Sequence, residues 1–203
     1  MAETSTHENH RLLVSTRNTH KVEEIRAILG TAFAVSDLTI LPDMPAVEES
    51  GITFEDNATL KAVSASQRFE GWVMADDSGL EVDALAGAPG VYSARYAGAD
   101  ASAADNNALL LRNLDGVRGK ERSARFRCVI VLARAGRKLA AFEGAVEGLI
   151  VNERKGAGGF GYDPLFVPAG SCETFGQLPA EVKNRLSHRA QALGKLRDWR
   201  GWW

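Results

Sequence analysis

The chain has 203 residues, 45% of them apolar and 25% charged, with a formal net charge of −2. That balance suits one globular unit with a real core, and no apolar run reaches the ~18 residues of a membrane span. It also gives no general attraction for a polynucleotide or membrane, so neither is an expected partner and any phosphate ligand must meet a local basic cluster.

Residues 1–10 lack an apolar h-region and read as a flexible tail without an export signal, leaving 11–203 as one domain. Arg11 to Ser15 carries Leu12, Leu13 and Val14, a strand. A polar loop follows, then Val22, Ile25, Ile28 and Leu29 at helical spacing, with Asn18 or Thr19 as N-cap and Gly30 as a left-handed C-cap. A second helix is expected from Thr53 to about Phe69, opening on Thr53-x-x-Asp56, a capping box with the shorter acid; Asn57 and Lys61 share one of its faces. Trp72 to Ala75 reads as a short buried strand that stops at Asp76-Asp77-Ser78-Gly79, with the acids at its mouth.

Asp105 to Leu114 is leucine-rich and helical. Ala124–Leu132 and Lys138–Val151 are strands joined by a turn at Ala135-Gly136-Arg137, so the sheet is mixed. Gly156 to Phe166 is too glycine-rich for a helix and reads as an ordered functional loop. Pro179 suits a helix's first position; Val182, Leu186, Leu193, Leu196 and Trp199 then mark a face interrupted near Ser187-His188-Arg189. The cysteines, Cys128 and Cys172, are too few for a disulfide framework; Cys128 reads as a buried thiol and the chain as cytoplasmic.

Certain residue groups carry chemistry. Thr16-x-Asn18-x-x-Lys21, between a strand and a helix, can receive phosphate oxygens on backbone N–H groups, a hydroxyl, an amide and an ammonium; ordinary capping beside a solvated lysine explains the same residues. Glu48-Glu49 and Asp76-Asp77 can hold a hydrated Mg²⁺ and leave a carboxylate to act as base, or are simply solvated turn acids. In the glycine-rich loop, Phe160 or Tyr162 can stack on a base and Asp163 can read a ring N–H; the bland version is a tight turn with plugged aromatics. Lys183, His188 and Arg189 offer donors for phosphate or a 6-oxo group. His7 and His10 fall in the tail, and no His pattern indicates a metal site.

Taken in order, Thr16–Lys21, Glu48–Ala62, Ala75–Leu85, Gly87–Gly98, Gly158–Phe166 and Ser187–Leu193 resemble the inosine triphosphatase family of non-standard purine nucleoside triphosphate pyrophosphatases, over nearly the whole chain. The resemblance implies an elongated, two-lobed α/β fold around a long mixed sheet, with a nucleotide cleft between the lobes and a homodimer. It implies that Thr16, Arg17, Asn18, Thr19, His20 and Lys21 hold the triphosphate, with Lys61 and Ser78 lining the phosphate channel. Glu49 and Asp77 serve Mg²⁺, with Asp77 also activating water. Phe160, Gly161, Tyr162, Asp163, Lys183, His188 and Arg189 hold the base and neighbouring phosphates. The substrates implied are ITP, dITP and XTP, cleaved to the monophosphate and pyrophosphate. This sequence departs from the pattern at Arg17, where glycine is frequent, and at Ser171–Thr174, which lacks a lysine. Competing readings are a house-cleaning pyrophosphatase for modified pyrimidine nucleotides, a catalytically silent nucleotide sensor, and an interaction protein docking through Trp199, Trp202 and Trp203.

Overall fold

The computed structural model describes residues 10–202, so the rest of the expected tail, His7 with it, and Trp203 lie outside the described residues. The chain runs β1 (His10–Val14), α1 (Thr19–Leu29), β2 (Phe33–Asp37), α2 (Phe54–Ser66), β3 (Trp72–Val82), α3 (Ala103–Asn113), β4 (Ser123–Arg134), β5 (Arg137–Ile150), β6 (Phe166–Pro168), α4 (Ala180–Leu186) and α5 (His188–Arg197). These strands form one six-stranded sheet in the order β2-β1-β3-β4-β5-β6. β2, β1 and β3 are mutually parallel and the rest antiparallel, which is the mixed α/β sheet expected.

Local chemistry sets the boundaries. Asn18 caps α1 by accepting from Lys21 N, and Gly30 closes it at φ 60°. Thr53 and Asp56 form the anticipated capping box on α2, and Ser102 with Asp105 builds the same motif on α3, starting that helix earlier than its leucines indicate. Ala135 and Gly136 both take positive φ, the two-residue turn whose twist matches a hairpin. Pro179 is the N-cap of α4 rather than its first residue, and Ser187 ends α4 while capping α5, the interruption foreseen there.

The expectation that a strand stops at Asp76 is wrong: β3 continues to Val82, paired residue by residue with β4 from Val73–Ala133 to Val82–Ala124. Its acids stay buried because cations meet them from both faces, as described below. Met74 belongs to an apolar cluster under α1 and α5, Ala75 to one under α2, and Leu80 with Val82 to a third shared with α3 and Phe166. β3 and β4 thus run through more than one core, and the polar stretch Asp76–Gly79 lies where one core gives way to the next.

β2 and β6 were not anticipated: β2 is only half buried and β6 has 3 residues, so neither shows a usable period. His10 opens β1, and its ring stacks on Trp202 at 5.2 Å. Trp202 is buried against Trp72 and Trp199, which gives these tryptophans a packing role. Among the described residues no helix is long and apolar enough to cross a membrane.

Candidate active site

β1 pairs with β3 only as far as Val14–Met74. Past that point β1 turns into the Ser15–Asn18 loop, while β3 continues without a strand on that edge, which next meets Ser93 at Leu80 and Ala88 at Val82. Because β2 flanks β1 on one side and β3 on the other, this is a switch point of parallel strands, where open α/β sheets form a crevice at the strands' carboxyl ends. A cleft of about 780 Å³ lies there, within the range of small-molecule sites.

The alternation of β3 sends its neighbouring acids to opposite faces. Asp77 faces α2, where Asn57 Nδ2 donates to it at 3.2 Å and Lys61 Nζ lies 3.2 Å away. Lys61 Nζ also donates to the Asp76 carbonyl at 2.9 Å and pairs with Glu49 at 2.8 Å. One ammonium therefore bridges Glu49 and Asp77. Arg95 approaches Glu49 from the other side at 3.5 Å.

Asp76 faces α1 and α5, fully buried, pairing with Lys21 at 3.0 Å and Arg189 at 2.9 Å. From Arg189 a buried chain of ion pairs continues to Glu24 at 2.5 Å, on to Lys183 at 2.6 Å and then to Asp163 at 2.5 Å. Gly144 makes this reach possible: a Cβ there would lie 2.0 Å from the His188 carbonyl, so only glycine lets α5 sit this close to β5.

The electrostatics separate the two acids. Burial raises the Asp77 pKa and outweighs the opposing pull of Lys61 and Lys21, leaving a carboxylate more basic than usual. At Asp76 burial is overcome by Lys21 and Arg189, which hold it well below the carboxylate range. Burial also raises Glu49, but Lys61, Lys21 and Arg95 reverse that and keep it ionised. Asp163 is raised by burial despite Lys183. Burial, reinforced by Arg189 and Lys183, holds His188 neutral, stacked 4.9 Å from Phe126, with no partner for Nδ1 among the described residues.

Thr16, Arg17, Asn18, His20, Lys21, Glu49, Lys61, Asp77, Ser78, Phe160, Gly161, Tyr162, Asp163, Lys183, His188 and Arg189 all line this cleft; Thr19 lines a second cavity behind the first loop instead. Several are already engaged. Thr16 and Asn18 make local caps, Arg17 donates to the Met44 carbonyl, and Asp163 accepts from Phe160 N. The Tyr162 ring is buried and its hydroxyl donates to the Ser93 carbonyl, so this residue anchors the loop; Phe160 is the more open ring, stacked on His20 at 5.6 Å with Lys183 Nζ 4.6 Å from its centroid. Glu24 and Arg95 are central residues that the motifs did not single out. For Glu24 the signal was present: it lies three residues after Lys21 and so shares its helical face.

Residues 12–199 match the model of the Ham1 family. The chain belongs to the Ham1 family. It is 51% identical over 193 residues to a dITP/XTP pyrophosphatase of Geobacter sulfurreducens, covering 95% of this chain and 97% of that protein. It is 47% identical to the dITP/XTP pyrophosphatase of Halalkalibacterium halodurans, over 92% and 97% of the two chains. Among solved structures, the Ham1 protein of Staphylococcus aureus superposes with a TM-score of 0.80 at 39% identity, over 92% of this chain and 96% of that one. The Coxiella burnetii HAM1 protein gives 0.82 at 37%, over the same shares.

Proposed function

We propose that this chain hydrolyses ITP, dITP and XTP to the nucleoside monophosphate and pyrophosphate, removing non-standard purines from the nucleotide pool. The observation that carries this reading is the position of Asp77: a carboxylate made more basic by burial, beside Lys61 and Glu49, in a cleft lined by phosphate-type donors at Thr16, Asn18 and Lys21 and base-type donors at Lys183, His188 and Arg189. The names of the relatives, dITP/XTP pyrophosphatase, support it.

Asp77 takes the proton from water as it attacks the α-phosphorus, and Asn57 fixes the carboxylate's orientation through its amide. Lys61 and Lys21 meet the charge growing on the phosphate oxygens and the departing pyrophosphate. Glu49 and Asp77 suit Mg²⁺: both are hard oxygen donors, and the Lys61 ammonium between them marks a position that favours positive charge. No group of three or more His, Cys, Asp or Glu residues is placed to hold a metal among the described residues, so water and phosphate oxygens would complete the shell. When bound, Mg²⁺ supplies charge neutralisation and polarises phosphate oxygens.

Near the base-type donors, Phe160 offers an aromatic face that a base would take over from His20, which stacks on the ring. Neutral His188 has one N–H and Arg189 a guanidinium, donors that suit a 6-oxo oxygen and meet a 6-amino group badly. A mismatch there leaves buried donors unpaired, worth about 1–3 kcal/mol per contact against adenine. A cytoplasmic homodimer completes the reading. The test is Mg²⁺-dependent product analysis with ITP, XTP, dITP, ATP and GTP, with Asp77→Asn as control. Pyrophosphate from the first three, little from ATP or GTP, and loss in the variant is expected; orthophosphate, or binding without turnover, overturns it.

A further inference from the structure

One carboxylate oxygen joins a cation beside the phosphate-type donors to one beside the base-type donors. Asp76 Oδ2 accepts from Arg189 Nη2 at 2.9 Å and Nε at 3.3 Å, pairs with Lys21 Nζ at 3.0 Å and takes the Ser78 hydroxyl at 3.3 Å. Its other oxygen, Oδ1, is buried with no partner among the described residues. Among those residues Asp76 is the carboxylate that pairs with Lys21, while Arg189 has a second one in Glu24. Lys21 comes from the first turns of α1, beside the phosphate-type donors; Arg189 comes from α5, beside the base-type donors. Two cations from different helices converge on one oxygen of a fully buried carboxylate, so neither moves without changing the field at the other.

We propose that Asp76 is a positioning residue that couples these two cations: engagement of Arg189 by a 6-oxo base fixes Lys21 for the triphosphate, so that base identity is read in kcat as well as in KM. The proposal rests on the substrate reading above. A 6-amino base leaves Arg189 unengaged and Lys21 less firmly held, which slows turnover even at saturation. A scaffold role alone would lower the active fraction for every substrate alike.

Calorimetry with IMP, AMP and inorganic pyrophosphate in Mg²⁺ reads the coupling without turnover. In the wild type, pyrophosphate should tighten IMP binding about tenfold and leave AMP unaffected. Asp76→Asn, which sets an amide against two cations, should abolish that gain and lower the XTP-to-ATP ratio of kcat about tenfold. Where Asp76→Asn does not fold, Lys21→Met decides: it cuts one arm at a partly exposed position and should lose the coupling, IMP then binding this variant equally with and without pyrophosphate. Independent binding of IMP and pyrophosphate in the wild type overturns the proposal. So does coupling retained in Lys21→Met, or XTP and ATP turnover falling by a common factor. If the wild type releases no pyrophosphate from XTP, the substrate reading fails, and the IMP–pyrophosphate coupling still decides the role of Asp76.

Discussion

Lys61 stands between Glu49 and Asp77, 2.8 Å from one carboxylate and 3.2 Å from the other, with its side chain 14% exposed. Burial alone would lower its pKa, but Asp77, Asp76 and Glu49 raise it, so it remains an ammonium. Lys61→Met leaves buried Asp77 and half-buried Glu49 facing each other and should cost about 3 kcal/mol in a urea titration. Millimolar Mg²⁺ should restore more stability to this variant than it adds to the wild type, because the cation replaces the lost charge.

Asp77→Asn separates stability from function. The folded state raises the Asp77 pKa, so it disfavours the charge, and an isosteric amide removes that penalty. The melting temperature should therefore stay level or rise, while kcat falls about 10³-fold, the scale of a lost general base. A melting temperature that drops sharply would show that the carboxylate is held for structure.

His188 gives a stability signature in pH. Its folded pKa lies well below the ordinary 6.5, so below pH 6.5 the unfolded chain takes up a proton that the folded one refuses. Stability is complete above 6.5 and is lost as pH falls towards the folded value, by up to about 1.4 kcal/mol per pH unit for this group. In His188→Gln the loss between pH 6.5 and 5 should be shallower, measured by denaturation at fixed pH values.

Glu24 is the link between Lys183 and Arg189. Glu24→Gln keeps the shape and removes the charge, so two buried cations share what remains. A loss of about 3 kcal/mol is expected by chemical denaturation, with weaker selectivity for 6-oxo purines.

Gly144→Ala tests the seating of α5. The added methyl would meet the His188 carbonyl at 2.0 Å and Ala192 N at 2.7 Å, both backbone, so the helix must retreat. A cost of about 1–3 kcal/mol should accompany a fall in kcat/KM of about 10²-fold, since Arg189 rides on that helix.

The family motifs made most of the cleft legible, and the α2 face carrying Asn57 and Lys61 followed from their four-residue spacing. The course of β3 did not follow. An acid pair inside an apolar strand reads as its end unless the cations that neutralise it are known, and Lys21 and Arg189 lie 55 and 113 residues away in sequence. Long-range pairing of this kind leaves no local period. The engagement of Tyr162 with Ser93 is likewise tertiary, invisible in a loop read by composition.

β3 and β4, 11 and 12 residues long, run beside the cleft and give it Asp77, Ser78, Gly79 and Phe126. Such a beam resists bending, so the floor of the cleft keeps one length and acts as a fixed gauge. Adjustment to a ligand falls to the loops at the rim, Leu41–Thr53 and Gly156–Tyr162. A ligand shorter than that floor would leave a gap at one end that only those loops could close.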